Sequence, residues 1–188
     1  MLNISKKLLL LNIVLSQTIL VIIAIILSFF IKGNWLFFEP FLKIEIRFDI
    51  FLISLAGILF LLFFEFLCWK FISKENFFDE LNLILIEKFS LAELSIIFLS
   101  GSIVEEMLFR GIIQPFVGIL AANIVFTLIH FRYFSKKYML LEVFVIGIVL
   151  GIIYKLTLML YVPILCHFIV NLITAMLVKK GYLNIKAQ

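Results

Sequence analysis

The chain has 188 residues, 65% of them hydrophobic, a net charge of +4 and a mean hydropathy of +1.26. A soluble core of this size has no use for so much apolar surface, so an ordinary soluble domain is excluded. One compact membrane domain remains, built from apolar runs of about 20 residues that cross a hydrocarbon core roughly 30 Å thick. Apart from Arg110, the basic residues sit at the ends of apolar runs rather than in a patch. That placement argues against a nucleic-acid partner and fits contact with the headgroups of a lipid bilayer.

The expected fold is all-α: a polytopic transmembrane helix bundle of about six spans, at roughly 8–31, 50–71, 91–114, 118–135, 138–156 and 158–178. The first run follows Lys6 and Lys7. It is too long for a signal h-region and lacks a small-residue cleavage site, so it reads as an uncleaved first helix. Asn12, Ser16, Gln17 and Thr18 in its first half are read as facing other helices. Residues 32–49 form a mixed-charge outer loop whose Trp35, Phe37 and Phe38 suit an interface. The second helix ends near Glu65, Trp69 and Lys70, where the carboxylate is expected to reach water.

Between 73 and 90, charged residues alternate with apolar ones. Phe77, Leu81, Ile84 and Leu85 recur at helical spacing, as in an amphipathic helix lying in the inner headgroup plane. The third span opens on Ser90-Leu-Ala-Glu93, the pattern of a capping box. It is expected to break near Gln114-Pro115, because proline lacks a backbone donor and disfavours helix in the residue before it. Gly147 and Gly151, four apart in the fifth span, allow another helix to approach closely. Cys68 and Cys166 fall in apolar segments and read as reduced core residues.

Orientation follows from the cations. With the N-terminus inside, eleven Lys and Arg fall on the inner segments and Lys32, Lys43, Arg47 and Lys155 on the outer ones. The positive-inside rule then places both termini in the cytoplasm and the chain in the cell membrane as a multi-pass protein.

The stretch Glu105-Glu106-Met-Leu-Phe-Arg110 breaks the apolar pattern. Charge in hydrocarbon costs about 2.5–3.5 kcal/mol per residue even on the lenient insertion scales, so these three groups need partners and a reason. Glu106 and Arg110 are four apart and share a helix face, where they neutralise each other. Glu105 points about 100° away and has no local cation.

Three other polar groups lie in the later spans. They are His130, at the end of Phe126-Thr-Leu-Ile-His130, and the pair His167 and Asn171. On the fourth span Asn123, Thr127 and His130 share a stripe, which turns His130 into the bundle. A reversal between Pro115 and Gly118 lies near the middle of the 25 residues from Glu105 to His130, and would bring both to similar depth. Each feature has a plain structural reading as packing, ionic glue or an interhelical hydrogen bond. Together they hold the parts for acid–base work on a polar bond: a carboxylate to take a proton from water, an imidazole to orient it, and an imidazole with an amide to meet a developing oxyanion.

In this order on successive helices, Glu-Glu-x-x-x-Arg, Phe-x-x-x-His and His-x-x-x-Asn resemble the CPBP intramembrane proteases, the CAAX prenyl proteases and their bacteriocin-processing and self-immunity (Abi) relatives. The likeness covers about 91–180. It implies a catalytic helix bundle there; hydropathy and charge set two transmembrane helices and a cytoplasmic amphipathic segment over 1–90 before it and a cytoplasmic tail over 181–188 after it. It further implies an intramembrane endopeptidase acting on a membrane-associated or lipid-modified protein or peptide substrate. Glu105 would be the general base and His130 would share the catalytic water. His167 and Asn171 would form the oxyanion site, supported by Glu106 and Arg110.

The family has been described both as metallo- and as glutamic proteases. The reading favoured here has no bound metal. The alternative is zinc held by Glu105, His130 and His167, at a spacing unlike the His-Glu-x-x-His of zincins. Two other functions compete: a non-catalytic immunity or scaffold protein of the same fold, and a small proton-relay transporter. The intact motifs speak against the first, and the lack of an inverted repeat against the second.

Overall fold

The computed structural model describes residues 4–32, 43–72 and 79–183, and all of its regular structure is helical. The helices are α1 (Lys6–Lys32), α2 (Phe48–Phe71), α3 (Glu80–Lys88), α4 (Leu91–Glu106), α5 (Gln114–Ile129), α6 (Lys137–Thr157) and α7 (Tyr161–Lys179). A π-helical stretch, Met107–Ile113, joins α4 to α5, and a 3₁₀ turn, Phe131–Tyr133, follows α5. Trp35, Phe37, Phe38 and Phe77 lie outside the described residues, as do the charged groups between 73 and 78.

Among the described residues five segments are long and apolar enough to cross a membrane, and the third of them runs without interruption from Leu91 to Ile129. The chain is therefore a multi-pass membrane protein, with the third and fourth expected spans fused in hydropathy. They are separated in space by Gly118, whose φ of 82° and ψ of 171° leave helical geometry. The rings of Phe109 and Phe126 meet at 5.0 Å. Seventeen residues of unbroken helix would hold them about 25 Å apart, so the chain doubles back between them. The helix does not break at Gln114-Pro115 itself, and the reversal expected between Pro115 and Gly118 falls at Gly118. The preceding π-helical register already sends the Gln114 amide to Phe109 O, and Pro115 sits in the first turn of α5, where its missing donor is tolerated.

Close approach is set by small residues. Ala24 and Ser28, four apart on α1, are fully buried, and Ala24 packs with Met107, Phe109 and Ile112 of the π-helical stretch. A Cβ on Gly147 would stand 1.7 Å from Asn123 Oδ1, and one on Gly151 2.9 Å from Gln114 Oε1, so the paired glycines of α6 do serve packing. The Asn123 amide also donates to Phe144 O and the Gln114 amide to Gly151 O. A second apolar cluster joins α2, α6 and α7 through Leu61, Leu150, Ile153, Val162 and Val170. Leu11, Leu15, Ile22, Phe51, Leu59 and Leu120 point outward, as apolar side chains do toward lipid. Cys68 and Cys166 are free and buried.

The amphipathic stretch is helical from Glu80 to Lys88 and packs across one end of the bundle. Asp79 caps it by accepting from the amides of Leu81 and Asn82. Ile84 and Ile86 are buried with Leu9, Leu94 and Ala175. Its far end is tied down by Lys179, whose ammonium donates to Ile86 O at 2.8 Å and Phe89 O at 2.7 Å. The capping box at Ser90 and Glu93 forms in both directions, and Glu93 also holds Lys6 at 2.7 Å.

Candidate active site

α4 delivers Glu105 and Glu106 at its last turn, and the next residues enter the π-helical stretch, a geometry that recurs at functional sites. Glu106 and Arg110 are 0% and 2% exposed and pair at 3.1 Å between Oε2 and Nε, as the spacing predicts. Arg110 Nη2 also donates to Gly147 O at 2.8 Å, and its guanidinium lies over the Phe126 ring at 4.8 Å. The cation is enclosed by one carboxylate, one carbonyl and one aromatic face, which together offset part of its desolvation.

Sequence spacing does not reveal what holds the other oxygen of Glu106. His167 Nδ1 lies 2.9 Å from Glu106 Oε1, so Arg110, Glu106 and His167 form one chain of contacts across α4, the π-helical stretch and α7. The second nitrogen of His167 is 4.0 Å from Glu105 Oε2. Glu105 keeps about a quarter of its side chain exposed, and that part faces a cavity of about 270 Å³.

His130 and Asn171 line the same cavity. His130 follows the last residue of α5, beyond the buried Asn123 and Thr127 of its stripe, and its Nδ1 contacts Phe126 O at 2.8 Å. An imidazole fixed in this way donates from Nδ1 and keeps Nε2 as an acceptor. His167, Asn171 and Thr174 recur at i, i+4 and i+7 on α7, and all three border the cavity. The residues singled out from the sequence thus gather at one cavity from three helices, with Arg110 and Glu106 behind its wall.

Two carboxylates on the cavity wall carry no motif. Glu65 is only 9% exposed and accepts a hydrogen bond from Thr174, so the expectation that it reaches water is corrected. α2 continues to Phe71, which leaves Glu65 nearly two turns inside the helix and facing α7. Glu142 of α6 lines the cavity as well.

Among the described residues no three His, Cys, Asp or Glu side chains gather closely enough to hold a metal ion. The set Glu105, His130 and His167 does not make a ligand group in this arrangement.

Comparison with known proteins bears on the same part of the chain. Residues 87–173 match the family described as type II CAAX prenyl endopeptidase Rce1-like. A stretch of 71 residues is 42% identical to the uncharacterized protein YpbD of Bacillus subtilis (strain 168), over 38% of this chain and 38% of that protein. No solved structure matches the chain.

Proposed function

We propose, from the match of residues 87–173 to the family described as type II CAAX prenyl endopeptidase Rce1-like, that the chain is an intramembrane endopeptidase. It hydrolyses a peptide bond in a membrane-associated or lipid-modified protein or peptide. The observation that carries this reading is the division of labour between adjacent carboxylates. Glu106 is buried and engaged by both Arg110 and His167, whereas Glu105 is left facing the cavity.

In this mechanism Glu105 takes a proton from water and His130 orients that water through its free Nε2. The hydroxide attacks the scissile carbonyl carbon, and the carbonyl π electrons move onto oxygen. His167, held between the Glu106 and Glu105 carboxylates, acts as an imidazolium with a proton on each nitrogen, and its Nε2–H and the Asn171 amide donate to the resulting oxyanion. Collapse of the tetrahedral intermediate breaks the C–N bond, and Glu105 returns its proton to the leaving amine. Glu106 fixes the orientation of the His167 ring through Nδ1. The reading needs no metal. It places the chain in the cell membrane with both termini cytoplasmic, in keeping with eleven inner against four outer cations.

The test is cleavage of a library of membrane-anchored peptides by the purified protein and by its Glu105→Gln variant. Cleavage by the wild type alone supports the reading. Equal cleavage by both overturns it and favours a non-catalytic role.

A further inference from the structure

His130 meets two rings. The Phe126 ring lies 4.8 Å away, tilted by 58°, and Tyr133 stacks at 5.9 Å with 26° between the planes. Tyr133 is buried, and its phenol oxygen is held by two donors. It accepts from Asn82 Nδ2 at 2.9 Å and from Arg132 Nη2 at 2.9 Å. The triangle closes where Arg132 Nη2 donates to Asn82 Oδ1 at 2.7 Å, and Arg132 also pairs with Asp79 at 3.3 Å. Asn82 belongs to α3, some fifty residues upstream of the turn it grips, and both Asn82 and Tyr133 border the cavity that His130 lines. One path of contacts therefore runs from α3 through a phenol to the imidazole.

We infer that Asn82 and Tyr133 are positioning residues for His130, so that the seating of α3 on the end of the bundle sets the orientation of that imidazole. The physical case is geometric. The Nδ1 contact to Phe126 O fixes one point of the ring but leaves it a hinge about that contact. Phe126 and Tyr133 limit the swing, and only Tyr133 is itself anchored at its far end by polar contacts. Removing the anchor loosens one wall without touching the imidazole. A misplacement of about 1 Å at a reacting group is enough to cost on the order of a hundredfold in rate. The inference rests on the proteolytic reading for its kinetic consequence but not for its structural one.

The test uses two substitutions in the full chain in detergent. Tyr133→Phe keeps the ring and removes the phenol oxygen, and Asn82→Ala removes its partner. The chain has two histidines, so the ring signals in a histidine-selective NMR spectrum are assigned by His167→Gln. Both variants are expected to shift and broaden the His130 ring signals while leaving those of His167 in place. They are also expected to lower kcat about tenfold to a hundredfold with KM changed less than about twofold. Unchanged His130 signals in the folded Tyr133→Phe protein would overturn the inference, even with a fall in turnover, because the loss then does not pass through the imidazole. If wild type and Glu105→Gln cleave alike, the functional reading fails, and the NMR arm still decides the positioning role.

Discussion

Glu106 and His167 stand sixty-one residues apart in the chain and 2.9 Å apart in space. Glu106 is therefore the shared partner of a guanidinium and an imidazole, and not only the counter-ion of the cation one turn away. Removing Arg110 leaves a carboxylate that is 0% exposed with a single imidazole for company. Breaking a buried pair from one side costs about 3–5 kcal/mol. Arg110→Ala is expected to lower the yield and thermal midpoint of folded protein in detergent, and Glu106→Gln combined with Arg110→Gln to recover part of the loss. Unaltered thermal stability of Arg110→Ala would refute the pairing.

The candidate catalytic groups are expected to separate by magnitude. Glu105→Gln and His130→Ala should each lower turnover by about a hundredfold to ten-thousandfold, as loss of proton transfer does. Asn171→Ala should leave measurable residual cleavage, because losing one oxyanion donor costs about a hundredfold to a thousandfold with substrate binding less affected. Circular dichroism of each variant checks that the bundle is intact.

Metal dependence is tested in the same assay. Direct activation of water by Glu105 implies full activity in strong chelator and no stoichiometric metal by elemental analysis. A zinc enzyme would fall silent and regain activity when zinc is returned.

Orientation is open to reporter fusions. One reporter joined at Gln188 and one inserted in the 32–49 loop should give opposite compartments, with the C-terminal one inside. A C-terminal reporter found outside would reverse the arrangement.

Gly147 is expected to tolerate no side chain. A Cβ there would meet Asn123 Oδ1 at 1.7 Å and Phe126 Cδ1 at 3.0 Å, and Asn123 cannot withdraw without giving up its bond to Phe144 O. Overpacking of this kind costs about 1–3 kcal/mol. Because Gly147 O also accepts from Arg110, Gly147→Ala should lower both thermal stability and activity. Gly118→Ala fails for a different reason, since nothing crowds that position and only its φ of 82° excludes a side chain.

The fold was legible because its signals are local. Apolar run lengths placed the helices within a few residues, except that the fourth span, expected to 135, ends at Ile129; the capping box marked the start of α4, and the i, i+4 spacing paired Glu106 with Arg110. The gathering of Glu105, His130, His167 and Asn171 at one cavity followed from motif order and one reversal. What stayed hidden depends on how distant helices face one another. The bond from His167 to Glu106 leaves no mark in spacing. Neither does the grip of Thr174 on Glu65, nor that of Asn82 on Tyr133. The reversal expected between Pro115 and Gly118 falls at the glycine and not at the proline, because the π-helical turn before Pro115 leaves the proline in a first helical turn and Gly118 supplies the backbone freedom that the reversal uses.

The reversal at Gly118 bears on how the chain enters the bilayer. Residues 119–129 form a return limb of eleven residues, about 17 Å long, which is roughly half the hydrocarbon thickness. Such a limb is too short to be threaded across by itself, and no Lys or Arg lies between Arg110 and Arg132 to orient it. Its apolar run is continuous with the longer limb before it, from Leu91 to Ile129. His130 follows the last residue of that limb, so Glu105 and His130 belong to one apolar hairpin rather than to two independent spans.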